Sequence, residues 1–418
     1  MASQAQAQPM ADRPDHIPES LVYAFDMFND PEYLADPHKM ILRLHKEAPP
    51  VFWTPYNGGV WMLLSYEANF TASRDPELFT SKAFPEEMQQ MVDEYLAQRP
   101  RRVPRPVPIS LDPPEHGVYR EPLQAWFAPR KMMAMQGKIR ALAAELIEAV
   151  RPHGHCELMA AIAEPLPITV FLELLGLPVD QKSVYLPLAQ AQFDALENEQ
   201  HRLADFQVEV ADLMKATVED RRVNPRDDLL SALWKMEFDG RPATVDDIED
   251  LCAILFLGGL DTVMNGIGFA GLHLARDVDL QRRLRADPSL IPGAVEEMLR
   301  RYSFALPRRR ATADTTLDGA FMKEGDQMVV FLPGANLDPR KFPGPEKYDL
   351  ARETNAHIVF GAGPHRCVGA HLARIELQVF YEELLGRLPL FRLTPGKTLT
   401  YHGGHTMRPN QVWLEWDA

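Results

Sequence analysis

Cysteine is scarce in this chain, with three in 418 residues: Cys156, Cys252 and Cys367. So few, so widely spaced, exclude a disulfide framework and point to a reducing compartment, that is, to a cytoplasmic protein. They also lack the paired spacing of a zinc site. Positive charge is in deficit, with a net charge of −15, so nucleic acid is not an expected partner. Long apolar runs are missing. The longest strong one, Leu251–Leu260, stops at Asp261 and is too short to span a bilayer. The first fifteen residues have no apolar core, which reads as a disordered tail and not as a signal peptide or membrane anchor. No Gly/Ser linker and no repeat divides the remainder, so residues 16–418 are expected to form one domain around a large core.

Helical spacing dominates what is present. Apolar residues at i, i+3 and i+4 predict helices near His116–Phe127, Lys131–Val150, Ala163–Leu174, Leu203–Arg221, Val245–Ala275, Ile291–Tyr302 and Val368–Leu385. Asn57-Gly58-Gly59 between Val51–Thr54 and Val60–Leu64 is a hairpin signal. Strands or irregular chain are expected over Leu306–Phe331 and Phe391–Trp416, and a Pro-pinned coil over Asn336–Arg352. The six prolines of Arg99–Pro114 exclude helix there. The fold class is therefore mainly α with a small β-rich part.

The densest chemistry lies in Phe360-Gly361-Ala362-Gly363-Pro364-His365-Arg366-Cys367-Val368-Gly369. A lone cysteine is usually a structural thiol. Here it closes a glycine-rich loop and opens a helix, where unpaired N–H groups favour thiolate. The glycines admit a broad, flat group close to the backbone. The spacing Phe-x-x-Gly-x-His-x-Cys-x-Gly resembles the signature of the cytochrome P-450 family, the haem-thiolate monooxygenases. The similarity runs from about Asp15 to Trp416 and leans toward the bacterial camphor 5-monooxygenase group.

That resemblance implies haem b held between a long central helix and the cysteine loop, with Cys367 as the axial ligand to iron. Phe360, Gly361 and Gly369 would shape the loop, and His116, Arg120, Arg309 and His365 would neutralise the haem propionates. In the central helix, Leu257-Gly258-Gly259-Leu260-Asp261-Thr262 is locally unfavourable. The Thr262 hydroxyl reaches the carbonyl of residue 258 and opens the helix there. By resemblance, Thr262 bonds dioxygen and Asp261 relays protons. Glu297 and Arg300 share a helix face and, with Arg352, match a buried network that supports the fold. Pocket-wall positions read Ile254, Leu257, Gly258, Phe304, Ala305, His405 and Thr406.

One departure concerns substrate. The camphor enzymes place a tyrosine shortly before Asp-Pro-Pro, whereas here about ten extra residues precede that segment and only Tyr95 is near. Tyr95, His405 and Thr406 stay open as groups that orient the substrate. The implied activity is hydroxylation of a small hydrophobic molecule, a terpenoid or norisoprenoid, with O2. Electrons would come from a two-iron ferredoxin and its NADH-dependent reductase, docking on Arg120, Arg130 and Arg374. A peroxide-dependent peroxygenase and a haem gas sensor are the alternatives.

Overall fold

In the computed structural model, the described residues are 10–417 apart from 83, 186, 189, 190 and 192–201. The helix Val245–Arg276 runs through the middle, 32 residues and about 48 Å at 1.5 Å per residue. A reciprocal cap starts it: Thr244 accepts from the Asp247 N–H while Asp247 accepts from the Thr244 N–H. The most apolar stretch of this helix has the composition of a membrane span, but 72% of it is buried, so it serves as core.

Pro129–Val150, Pro165–Leu175, Leu203–Val223, Ile291–Arg301 and Ala370–Arg387 surround it. Each lies within a few residues of its expected bounds. Further helices lie outside the expected set. Pro37–Glu47 and Tyr66–Arg74 start on Asp36 and Ser65, whose side chains accept from Lys39 and Ala68 N–H groups. Glu86–Ala97 has no buried residue, and it accommodates the extra segment before Asp-Pro-Pro.

A five-stranded sheet flanks the helices in the order Val51–Thr54, Val60–Leu63, Gln327–Val330, Arg308–Ala311, Phe79–Thr80. The first two form the expected hairpin, with Thr54 opposite Val60. Its turn uses positive φ at Asn57, Gly58 and Gly59 (60°, 83° and 78°). Gln327–Val330 joins in parallel and aligns Met328 with Trp61 and, on its other side, with Arg309.

Of the tail expected over residues 1–15, residues 1–9 lie outside the described residues. Ala11 beyond them is tied down, its N–H donating to Pro55 O at 2.8 Å. The proline-rich segment is clamped by charge onto the start of the central helix. Arg101 reaches Glu249 at 2.6 Å, and Arg102 and Arg105 reach the buried Asp250 at 2.6 and 3.3 Å.

Candidate active site

Cys367 is fixed by its backbone, its N–H donating to Phe360 O at 2.8 Å. Two glycines make that turn, with φ of 73° at Gly361 and 66° at Gly363. A Cβ on Gly363 would fall 2.3 Å from Ser73 O, so this position admits no side chain. Arg374 stacks its guanidinium over the Phe360 ring at 4.5 Å. The helix begins at Ala370 with Gly369 as its cap, two residues later than the sequence suggests, so the thiol sits before the first turn. That placement weakens the expected dipole effect. Burial pushes the thiol pKa up, opposed by the Gly369 N–H and by Arg120, Arg366 and Arg374.

Although the chain packed around it desolvates the thiol, Cys367 is an exposed residue. In the central helix, Gly258, Thr262 and Gly266 are spaced four apart and line one face. At Gly266 that face meets the cysteine helix, with a built Cβ 3.3 Å from Leu377, but at Gly258 nothing lies within 4 Å. The two helices thus touch at Gly266, while beside Gly258 the same face opens onto a gap. The adjacent glycine has another purpose: a Cβ on Gly259 would sit 2.9 Å from the Phe171 ring. Gly259→Ala should therefore cost about 1–3 kcal/mol through overpacking. Gly258→Ala should leave thermal stability equal or higher, by up to about 1 kcal/mol from helix propensity. Thermal unfolding of the two variants checks the contrast, and equal losses would remove it.

Near Cys367 basic groups cluster in need of a counter-charge. His116 and His365 have ring centroids 4.4 Å apart, and His116 Nε2 is buried without a partner. Burial, then Arg309, His116 and Arg120, pull the His365 pKa down to about 3. Burial also lowers Arg120 and Arg309, opposed by Cys367 and Asp112, respectively. A planar group with two carboxylates, seated over the thiol, satisfies this set. The residues therefore fit haem: Cys367 would hold iron, and His116, Arg120, Arg309 and His365 would hold the propionates.

The Asp-Thr pair is split in its contacts. Thr262 donates to Gly258 O at 3.1 Å, as expected, yet the helix continues without interruption. Asp261 is buried and held by three partners. Its Oδ2 accepts from Asn265 Nδ2 and from Thr406 Oγ1, both at 2.9 Å, and its Oδ1 faces Arg408 Nη1 at 3.2 Å. Thr406 is thus committed to Asp261. Arg408 gave no local signal, being 147 positions from its partner.

Of the expected wall positions, those at 304–306 run beside those at 405–407. Ala305 pairs with Thr406, Leu306 N–H donates to His405 O, and Met407 N–H donates to Phe304 O. Ile254 and Leu257 are half-buried one turn or more before Thr262. Tyr95 is 67% exposed on Glu86–Ala97, beside exposed Met88 and Met91 on the same helix.

Glu297 and Arg300 are fully buried and meet as a two-pronged pair at 2.8 and 2.7 Å. Arg352 Nε adds 3.1 Å to Glu297, and Arg300 also donates to Asn336, Pro345 and Lys347 carbonyls at 3.0 Å each. Behind the loop, Arg374 is bound to Glu296 at 2.6 Å and Arg120 to Arg366 O, which leaves Arg130 the exposed member of the expected docking trio.

Comparison with known proteins agrees with this geometry. The Cytochrome P450 family profile matches residues 168–399. The chain is 33% identical over 413 residues to "Probable cytochrome P450 127A1" of Sinorhizobium fredii, covering 96% of each. It is 33% identical over 336 residues to "Steroid C26-monooxygenase" of Mycobacterium tuberculosis, covering 79% of this chain and 87% of that protein. Among solved structures, that of CYP101J2 superposes with a TM-score of 0.86 at 33% identity, covering 98% of this chain and all of that one (100%). The cysteine loop, the basic cradle and these similarities together establish that the chain belongs to the cytochrome P450 family, and it is a haem b monooxygenase.

Proposed function

We propose that this enzyme hydroxylates an unactivated C–H bond of a small hydrophobic substrate, of terpenoid or norisoprenoid type, using O2 and electrons from a two-iron ferredoxin served by an NADH-dependent reductase. The reading is supported by apolar side chains at the expected wall positions Ile254, Leu257, Phe304 and Ala305 and by the open space beside Gly258. Solved structures in the CYP101 series are among its neighbours. The buried free thiols Cys156 and Cys252 suit a cytoplasmic setting.

When bound, haem would supply the oxidation chemistry, for which dioxygen, two electrons and two protons are needed. The protein's share is to seat the substrate, exclude water and deliver those protons. Thr262 presents its hydroxyl to the gap from Gly258 O. Asp261, one residue earlier, receives protons from the side of Thr406 and Arg408 and passes them toward Thr262. An acid is wanted because reduction of dioxygen consumes protons, whereas peroxide brings its own.

Asp261→Asn should therefore lower ferredoxin-driven turnover by about 100-fold or more, within the range of general acid–base catalysis. Peroxide-driven turnover should change little. Equal, small changes in both would contradict the proton assignment. The substrate class is tested by a spin-state titration of the haem-loaded protein with camphor, cineole, ionones and linalool. A large shift with a terpenoid supports the class, and none with any terpenoid overturns it.

A further inference from the structure

The helix Ile291–Arg301 carries two consecutive glutamates with different partners. Glu297 serves the buried Arg300 network. Glu296, about 100° around the helix from it, turns to the cysteine loop instead. Its carboxylate takes Arg374 in a two-pronged grip, with Nε 2.6 Å from Oε1 and Nη2 2.9 Å from Oε2. His357 Nε2 lies 3.0 Å from the same Oε2. Burial would raise this carboxyl, but the bonds to His357 and Arg374 bring it down to about 2, so it is ionised. The His357 side chain is 3% exposed. With Nε2 donating to Glu296, its buried Nδ1 is an acceptor without a partner among the described residues. A bare buried acceptor is costly, so stability alone is a poor account of this imidazole.

Two of the three side chains reach Phe360. The Arg374 guanidinium lies over its ring, 4.5 Å from the centroid, and the His357 ring centroid is 6.5 Å away. Phe360 is also the residue whose carbonyl accepts the Cys367 N–H at 2.8 Å. One residue thus joins the cluster to the ligand loop. Arg374 itself belongs to the helix that follows Cys367, so Glu296 ties both flanks of the thiol to Ile291–Arg301. The third guanidinium nitrogen, Nη1, faces Ala370 O at 3.4 Å, so every nitrogen of Arg374 is engaged within the fold. Arg374 is also one of the cations that offset burial at the thiol.

We propose that Glu296 and His357 are positioning residues for the haem reaction: they hold Arg374 against Phe360, where its positive charge draws on the Cys367 thiolate and eases one-electron reduction of the iron. The inference goes beyond the substrate and electron donor proposed above and rests only on Cys367 as the haem ligand. Docking of an acidic electron donor is the other role for Arg374. A guanidinium whose nitrogens all bond within the fold has little left to offer a partner.

The test is a spectroelectrochemical titration of the substrate-free, haem-loaded enzyme in wild type, Arg374→Met, Glu296→Ala and His357→Ala, with haem content measured in each. Taking the guanidinium away from the thiolate should favour oxidised iron. We expect Arg374→Met to shift the one-electron equilibrium about tenfold that way, a potential lower by about 59 mV. Glu296→Ala should shift it in the same direction by about threefold or more, and His357→Ala by less. The sign is decisive. A glutamate that merely offsets charge would raise the potential when removed, and that result overturns the proposal. An unchanged potential in Arg374→Met or Glu296→Ala overturns it too, leaving docking for Arg374, since no partner protein is present. Glu296→Gln, with the same fall expected, carries the test if Glu296→Ala does not load haem. Failure of the ligand assignment would show separately, as a wild-type reduced carbon monoxide complex without a thiolate band.

Discussion

Cys367→Ser should give a folded protein that takes up haem but no longer carries out oxygen-dependent hydroxylation. The reason is local. The Cys367 N–H is pinned to Phe360 O, and Gly361 and Gly363 set the turn, so the loop keeps its shape when sulfur becomes oxygen. The four basic residues of the cradle are untouched, so the haem propionates would keep their partners. What is lost is the thiolate's donation of charge, which promotes O–O cleavage. Loss of an outer-shell partner at a metal site costs about 10–100-fold, and loss of the axial ligand itself should exceed that. Circular dichroism, haem content and product formation with ferredoxin and reductase check each part. Turnover within about 10-fold of wild type would show that Cys367 is not the ligand.

The largest stability effect is expected at Arg300. Its guanidinium is fully buried and makes two bonds to Glu297 and three to carbonyls at 336, 345 and 347. Removing one partner of a buried pair strands the other charge and costs about 3–5 kcal/mol. Arg300→Lys keeps the charge but not the planar fork, so it should lose most of that energy. Glu297→Gln should behave similarly, since Glu297 also holds Arg352, Asn355 and the Asp349 N–H. Denaturant unfolding and the rate of haem release measure both. A loss under about 1 kcal/mol in Arg300→Lys would place the pair with surface ion pairs.

Much of this was legible in the sequence, and for identifiable reasons. Val245–Ala275 and Val368–Leu385 were readable because long helices packed on a core repeat apolar residues with a fixed period. The Cys367 loop was readable because its chemistry is contiguous, and Glu297 with Arg300 because three positions place them on one helix face. The helices Pro37–Glu47 and Tyr66–Arg74 are not among those expected, although Asp36 and Ser65 cap them and Pro37, Met40, Ile41 and Leu44 stand at helical spacing in the first. The partners of Asp261 were illegible: Thr406 and Arg408 reach it from 145 and 147 positions away. Arg308 and Arg309 look alike in the sequence, and only the register against Val329 and Met328 gives them opposite faces. The Cys367 thiol shows a different limit. Its place before the helix was readable, but burial outweighs the backbone and arginine contributions, and burial is a property of the whole fold.

The most direct test of the central claim is the absorption spectrum of the haem-loaded wild-type protein, reduced under carbon monoxide. Ligation by Cys367 predicts the red-shifted band of a thiolate-bound carbonyl haem. A band at the shorter wavelength of a histidine-ligated carbonyl haem, from protein that is folded and fully loaded, would contradict it.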